Sequence, residues 1–277
     1  MYGIVTRNEE ETTWSEFDRT FFEMKDVTGR ATKPVADAVN MISAFGDNAA
    51  VEGDPSLAAV SANGAPATRE RPYFDWDYVC PSQETYRSGI LEMVEDAAAV
   101  NEAVRLDDVG FPREEYCYCE RCTDRFAESD HEDRRAWRRE LITEFVAEVR
   151  ERVPGRFYMT VYPDPYPGHL DARSGLDLEA LSAYVDEFVV PIYDMAYETT
   201  YWLEVIAKGF ADRLETPFSI ELYAINIDVD NLIRAMDVAD EYADSVIFGY
   251  EAGNARAAIR RKRADDRDGV SHGPDEE

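Results

Sequence analysis

No apolar run in the chain approaches the roughly 20 residues that a membrane-spanning helix needs, so a membrane protein is not expected. The opening residues, Met1-Tyr2-Gly3-Ile4-Val5-Thr6-Arg7, lack the basic start and apolar centre of a secretory signal. That argues against a secreted protein and leads to the expectation of a cytoplasmic one. Lysine is scarce: Lys25, Lys33, Lys208 and Lys262 stand in a chain of 58 acidic residues and a formal net charge of −29. Such a charge repels both the phosphate backbone of nucleic acid and anionic headgroups, so neither nucleic acid nor membrane is expected as a partner. No glycine-rich phosphate loop follows any run that reads as a strand, which weakens a dinucleotide-binding sheet.

What is present suits a folded core: 277 residues, 45% of them hydrophobic and 12% aromatic. The acidic excess is spread along the whole chain. It therefore resembles the composition of haloarchaeal proteins, whose acidic surfaces compete for water while salt screens their self-repulsion. On that reading the charge describes a habitat and says little about function.

From residue 104 onward, short β-branched or aromatic runs alternate with stretches of helical periodicity. The runs are Val104–Val109, Phe157–Tyr162, Phe188–Tyr193, Phe218–Tyr223 and Val246–Tyr250. Between them Trp137, Leu141, Phe145, Val149 and Val153 recur every fourth residue, one face of a helix that Pro154-Gly155 ends. The last four runs begin about 30 residues apart, the length of a strand, a helix and two loops. The pattern predicts an α/β fold, a (β/α)8 TIM barrel, with an irregular or incomplete N-terminal part. There, Tyr2–Thr6 and Leu57–Ala62 read as strands and Thr32–Phe45 as a helix. That gives seven strands and leaves the second barrel strand unplaced. A single barrel domain is expected over residues 1–259, followed by a charged, aperiodic tail over 260–277 that reads as disordered.

Cys80, Cys117, Cys119 and Cys122 are the cysteines, three of them within Cys117-Tyr118-Cys119-Glu120-Arg121-Cys122. Cysteines two apart strain a disulfide, whereas thiolates around a turn with a fourth from a distance suit tetrahedral Zn²⁺. Four sulfur ligands leave no open position, so the zinc would be structural. It would pin the loop after the Val104–Val109 strand to the start of the helix after Pro81. None of the histidines, His131, His169 and His272, lies near the cluster, which argues against a catalytic zinc. Free or redox-active thiols are the alternative.

Cys80-Pro81-Ser82-Gln83-Glu84-Thr85-Tyr86-Arg87, a helix, a strand ending in acids, and then the three-cysteine loop and Phe126 together resemble glycoside hydrolase family 42 β-galactosidases. The family's four cysteines hold a structural zinc, and Pro217-Phe218-Ser219-Ile220-Glu221-Leu222 resembles the strand that bears its clan's nucleophilic glutamate. A second resemblance is to uncharacterised glycosidase-like barrels, through Arg105-Leu106-Asp107-Asp108-Val109-Gly110-Phe111-Pro112 and Val190-Pro191-Ile192-Tyr193-Asp194. Both cover roughly residues 57–255. The chain departs from the β-galactosidases where they carry Asn-Glu, since it has Asp107-Asp108, and the resemblance does not extend to their large extra domains.

In such a barrel the chemistry collects at the C-terminal ends of strands. Those ends carry acids and tyrosines, a combination suited to a carbohydrate: carboxylates for chemistry and hydroxyls, rings for sugar faces. Hydrolysis needs two carboxyl groups across the scissile bond. The resemblance makes these Asp107, as general acid/base on the fourth strand, and Glu221, as nucleophile on the seventh. By strand alternation Arg105 shares a face with Asp107, while Asp108 points away. An arginine beside Asp107 suits a fixed carboxylate better than a proton donor, which keeps Asp108 as the alternative donor. Arg105, Tyr162, Tyr193, Asp194, Tyr223, Glu251 and Trp76 are the expected substrate-binding residues. Trp76 sits in an aromatic stretch, Tyr73–Tyr78, that reads equally as a stacking loop or as a lid on the core.

The leading expectation is a glycoside hydrolase acting on an oligosaccharide. A carbohydrate-binding barrel that has lost its general acid is the alternative, favoured if the carboxylates are locked to arginine. A third possibility is an interaction protein whose zinc loop contacts a partner or builds a homo-oligomer.

Overall fold

The computed structural model describes residues 1–268. Eight parallel strands close into a barrel in chain order, and the eighth pairs with the first. They are β1 (Tyr2–Thr6), β2 (Arg19–Lys25), β3 (Val39–Ser43), β4 (Val104–Asp107), β5 (Phe157–Thr160), β6 (Glu187–Pro191), β7 (Phe218–Tyr223) and β8 (Ser245–Gly249). The expected TIM barrel is therefore present. From β4 onward the strands fall where the β-branched and aromatic runs place them, because those strands are buried on both faces and read as continuous apolar stretches.

The N-terminal third differs from expectation. Thr32–Phe45 is not a helix: it contains β3, which pairs with β2 through Phe21 and Val39 and with β4 through Ser43 and Asp107. Val35, Val39 and Ile42 mimic a helical face, but Val39 and Met41 alternate inward at the strand's period of two. Leu57–Ala62 is not a barrel strand either. It follows a 3-10 turn, Pro55–Leu57, and makes isolated bridges such as Ala58 with Val79. The unplaced second strand is β2. Its inward residues include Arg19 and Glu23, whose charge hides the strand from a hydrophobic reading.

The helices are α1 (Asn48–Gly53), α2 (Glu84–Val100), α3 (Glu120–Glu128), α4 (Arg134–Arg152), α5 (His169–Ser174), α6 (Leu178–Leu181), α7 (Tyr201–Ala211), α8 (Val229–Tyr242) and α9 (Ala252–Asp268). The connection from β1 to β2 carries a 3-10 turn, Glu9–Thr13, in place of a helix. Helix α4 shows how local sequence sets its limits. Asp133 accepts a hydrogen bond from the Arg135 amide at its start, and Trp137, Leu141, Phe145 and Val149 are its buried face. Helix α9 runs on to Asp268, so residues 260–268, expected in the disordered tail, are helical. Arg260 reaches Glu16 and Lys262 reaches Asp237, which anchors the charged part of the helix to the barrel. The rest of the expected tail lies outside the described residues.

Inside the barrel, Val5, Phe21, Val39, Met41, Tyr158, Val189 and Ile247 form an apolar plug. Below it, at the N-terminal ends of the strands, Arg19 makes a two-pronged contact with Glu187 (2.8 and 2.7 Å) and bonds Ser245 at 2.7 Å. This floor leaves the C-terminal ends as the open end. Among the described residues no helix is long and apolar enough to cross a membrane.

Candidate active site

A cavity of about 290 Å³ lies at the C-terminal ends of the strands. Its wall brings together Arg105, Asp107, Asp108, Tyr162, Tyr193 and Trp76 from the expected residues. Glu221, Asp194, Tyr223 and Glu251 are not part of that wall.

Arg105 is the centre of the arrangement. Its Nε donates to Asp107 Oδ1 and to Thr160 Oγ1, both at 3.0 Å, and its Nη2 lies 2.6 Å from Glu221 Oε2. The Thr160 hydroxyl also donates to Asp107. Burial opposes the arginine's charge, but Asp107 and Glu221 outweigh it, so its pKa is raised. Strand alternation placed Arg105 and Asp107 on one face, as found. Glu221 is 1% exposed and receives the Tyr193 hydroxyl on its other oxygen, so arginine and tyrosine cover it from two sides.

Asp108 does not point away from the site as alternation implied. Strand β4 ends at Asp107, and Asp108 takes a left-handed backbone with φ of 54°, which turns its side chain back to the cavity. A non-glycine residue in that region is strained, a condition that clusters at functional sites. Asp108 Oδ2 accepts a hydrogen bond from Ser43 Oγ at 2.7 Å. Burial and then the neighbouring Asp107 push this carboxyl up to about 7, against the Ser43 hydrogen bond and Lys25. A second carboxyl that sequence reasoning missed is Glu23 of β2. It contacts Arg7 and accepts a hydrogen bond from the Tyr250 hydroxyl at 3.1 Å. Burial raises it above its ordinary value despite Arg7. Its signal in the sequence was the alternation of Arg19, Phe21 and Glu23, which only a strand there explains.

The other expected residues have different places. Asp194 is exposed and accepts hydrogen bonds from the amides of Ala196 and Tyr197 (2.8 and 2.9 Å), fixing the loop after β6. Tyr223 packs its ring on Tyr193, with centroids 5.3 Å apart. Glu251 is exposed at the start of α9. His169 is exposed and pairs with Asp164 at 3.1 Å.

The long β3–α2 loop supplies the aromatic wall. Trp76 stacks obliquely on Tyr78 at 5.8 Å, and the buried Tyr78 hydroxyl lies 2.9 Å from that of the wall residue Tyr162. Trp76 Nε1 and Arg105 Nη1 are buried donors without a hydrogen-bond partner among the described residues.

The four cysteines converge behind this wall, their sulfur atoms all within 4.8 Å of one another. Cys80 and Cys122 are 3.3 Å apart and Cys80 and Cys119 3.8 Å, close to the ~3.8 Å edges of a tetrahedron with ~2.3 Å metal–sulfur bonds. The Val60 amide donates to Cys117 Sγ at 3.2 Å, and buried Ser82 Oγ lies 3.1 Å from Cys80 Sγ. The residues present thus fit a closed, four-sulfur metal site. Cys80 precedes α2, Cys117 and Cys119 end the β4–α3 loop, and Cys122 lies in the first turn of α3. The cluster therefore ties the loop bearing Trp76 to the loop bearing Asp108.

No protein-family model and no curated protein matches the chain. Among solved structures it is similar to α-L-fucosidase isoenzyme 2 from Paenibacillus thiaminolyticus, with a TM-score of 0.66 and 12% identity over 96% of this chain. The chain spans 49% of that fucosidase's length. It is also similar to a GH18 chitinase from Cycas revoluta, TM-score 0.57 and 10% identity, covering 96% of this chain and 99% of the other. A GH20 exo-β-N-acetylglucosaminidase from Vibrio harveyi follows, with TM-score 0.54, 8% identity, and 93% and 53% coverage. These likenesses show the barrel fold.

Proposed function

We propose that the chain is a glycoside hydrolase that acts on a carbohydrate at the C-terminal mouth of the barrel. The observation that carries this reading is the pair Asp107 and Asp108. Two carboxyl groups face one tyrosine- and tryptophan-walled cavity, one fixed by Arg105, the other half-buried and pushed up to about 7. Two carboxyls in contrasting environments are how a glycosidase separates its proton donor from its charged partner.

In this reading Asp108 protonates the leaving oxygen, a role that needs a proton held near neutral pH. Asp107, fixed by Arg105 and Thr160, supplies the carboxylate that attacks the anomeric carbon or stabilises its positive charge. Trp76, Tyr162 and Tyr193 hold the sugar faces. Glu221 positions Arg105, and acts as nucleophile in the Asp107–Glu221 pairing only if the Tyr193 hydroxyl moves aside. The cysteine cluster takes zinc, in keeping with the family 42 resemblance. The metal's contribution is structural, because four sulfurs leave no site for water. Clustered reduced thiols fit a cytoplasmic location, and the acidic composition fits work in high salt.

The test is a panel of nitrophenyl and natural glycosides in molar salt, run on parent, Asp108→Asn, Asp107→Asn and Glu221→Gln. Turnover in the parent that disappears in the Asp108 and Asp107 variants supports the reading. A second reading, a carbohydrate-binding barrel without turnover, is favoured by Arg105 engaging both Asp107 and Glu221. Glycan binding by calorimetry with no hydrolysis of any member of the panel selects it.

A further inference from the structure

Large apolar side chains are exposed unevenly. Tyr193, Met195, Tyr201 and Trp202 lie within ten residues of one another, 47%, 78%, 62% and 65% exposed. They occupy the β6–α7 loop and the first turn of α7, on one side of the barrel mouth. The rings of Tyr201 and Trp202 stand 5.2 Å apart at 69°, forming a two-faced projection. The loop that presents them is fixed from within. Asp194 ties the amides of Ala196 and Tyr197, and the buried Tyr197 hydroxyl donates to Ile192 O and accepts from the Tyr223 amide, each at 2.8 Å. Four of the nine exposed large apolar side chains among the described residues gather here, on and beside a loop whose backbone is fixed, and such a gathering suits a binding surface.

We infer that this ridge is a subsite for an extended neutral glycan, Tyr201 and Trp202 stacking on sugar units that leave the cavity past Tyr193. The inference rests on the carbohydrate reading of the cavity and adds that the substrate is an oligosaccharide or polysaccharide. Continuity is the first argument: Tyr193 belongs both to the cavity wall and to the exposed ridge. Size is the second. A cavity of about 290 Å³ lies at the small end of ligand pockets, so a longer chain has to continue over the rim. Charge is the third. The rings are interspersed with exposed Asp194, Glu198 and Glu204 on a chain of net charge −29. A second copy or an anionic surface would bring like charges together. A neutral glycan offers apolar faces to the rings and hydroxyl donors to the carboxylates.

Calorimetry with neutral oligosaccharides of increasing length, from monosaccharide to hexasaccharide, on parent, Trp202→Ala and Tyr201→Ala, tests this. Both residues are exposed, so the variants keep the fold. The parent is expected to gain affinity with length. Trp202→Ala is expected to lose about tenfold for the longest members, a stacking-sized effect, while binding the shortest as the parent does. Equal affinity of parent and both variants for the long members overturns the inference and leaves the cavity reading standing. A parent that binds no member of any length overturns the cavity reading on which it rests. A parent that sediments as a dimer and becomes a monomer in Trp202→Ala assigns the ridge to a second copy and overturns the glycan subsite.

Discussion

Arg105 Nη2 lies 2.6 Å from Glu221 Oε2, and each of these side chains is 1% exposed. The pair joins β4 to β7 across the barrel just under the cavity, and the Tyr193 hydroxyl closes it from above. An acid expected to do chemistry is thereby part of the frame that holds Arg105, and through Arg105, Asp107.

Removing that charge has a cost that activity assays alone do not reveal. Breaking a buried ion pair on one side leaves the other charge uncompensated, at about 3–5 kcal/mol. Glu221→Gln is therefore expected to unfold at markedly lower urea than the parent at fixed salt. Equal midpoints would show that Arg105 is satisfied by Asp107 alone.

Asp108 gives the chain a pH dependence whose sign is fixed by its raised value. The folded chain keeps a proton that the unfolded chain releases at its ordinary value of about 3.9. Stability contributed by this proton is lost as pH rises from about 4 to about 7, and is flat above. Asp108→Asn is expected to abolish that decline, so its urea midpoint at pH 8 exceeds the parent's. As the proposed donor, Asp108 is also expected to govern the alkaline limb of turnover near pH 7. Its loss lowers the rate by about 10²–10⁴-fold. A variant that keeps both the decline and the limb sinks the assignment.

The same residue shows where the sequence was legible and where it was not. Strands β4 to β8 were readable because each is an apolar run between helical patterns, and Arg105 beside Asp107 followed from alternation. Asp108 was misdirected because alternation stops where the strand stops, and a left-handed residue has no signature in an Asp-Asp pair. Strand β2 was hidden because its inward side carries the charges of the barrel floor and the cavity, Arg19 and Glu23. The cysteine spacing announced a metal-type cluster, but only the fold shows that the cluster joins the Trp76 loop to the Asp108 loop.

That junction predicts a local consequence of metal loss. The four sulfurs hold two loops, after the adjacent strands β3 and β4, that both contribute to the cavity wall. Treatment with a chelator, or Cys80→Ser, is expected to remove one equivalent of bound metal. Hydrogen exchange is then expected to speed up in residues 57–80 and 108–122, with strands β5 to β8 unchanged. Metal content is read by emission spectrometry and exchange by mass. Uniform acceleration over the whole chain would mean that the site supports global folding and not the cavity wall.

The barrel floor offers a change in stability that leaves the mouth untouched. Glu187 is 3% exposed and is held by Arg19 at 2.7 Å, with Arg156 at 3.3 Å and the Ser219 hydroxyl beside it. Arg19 also lies over the rings of Phe21 and Tyr158, so its long side chain packs as well as pairs. Arg19→Met keeps much of that packing but strands a buried carboxylate, and is expected to cost about 3–5 kcal/mol. Adding Glu187→Met removes the stranded charge and is expected to recover most of the loss, because apolar replacement of a whole buried pair is often neutral. The cycle is read by urea denaturation of the parent, both single variants and the double variant. Glycan binding at the far end of the barrel should be unchanged in the double variant. If the double variant is no more stable than Arg19→Met, the loss lies in the packing of Arg19 on Tyr158 and Phe21 and not in the charge of Glu187.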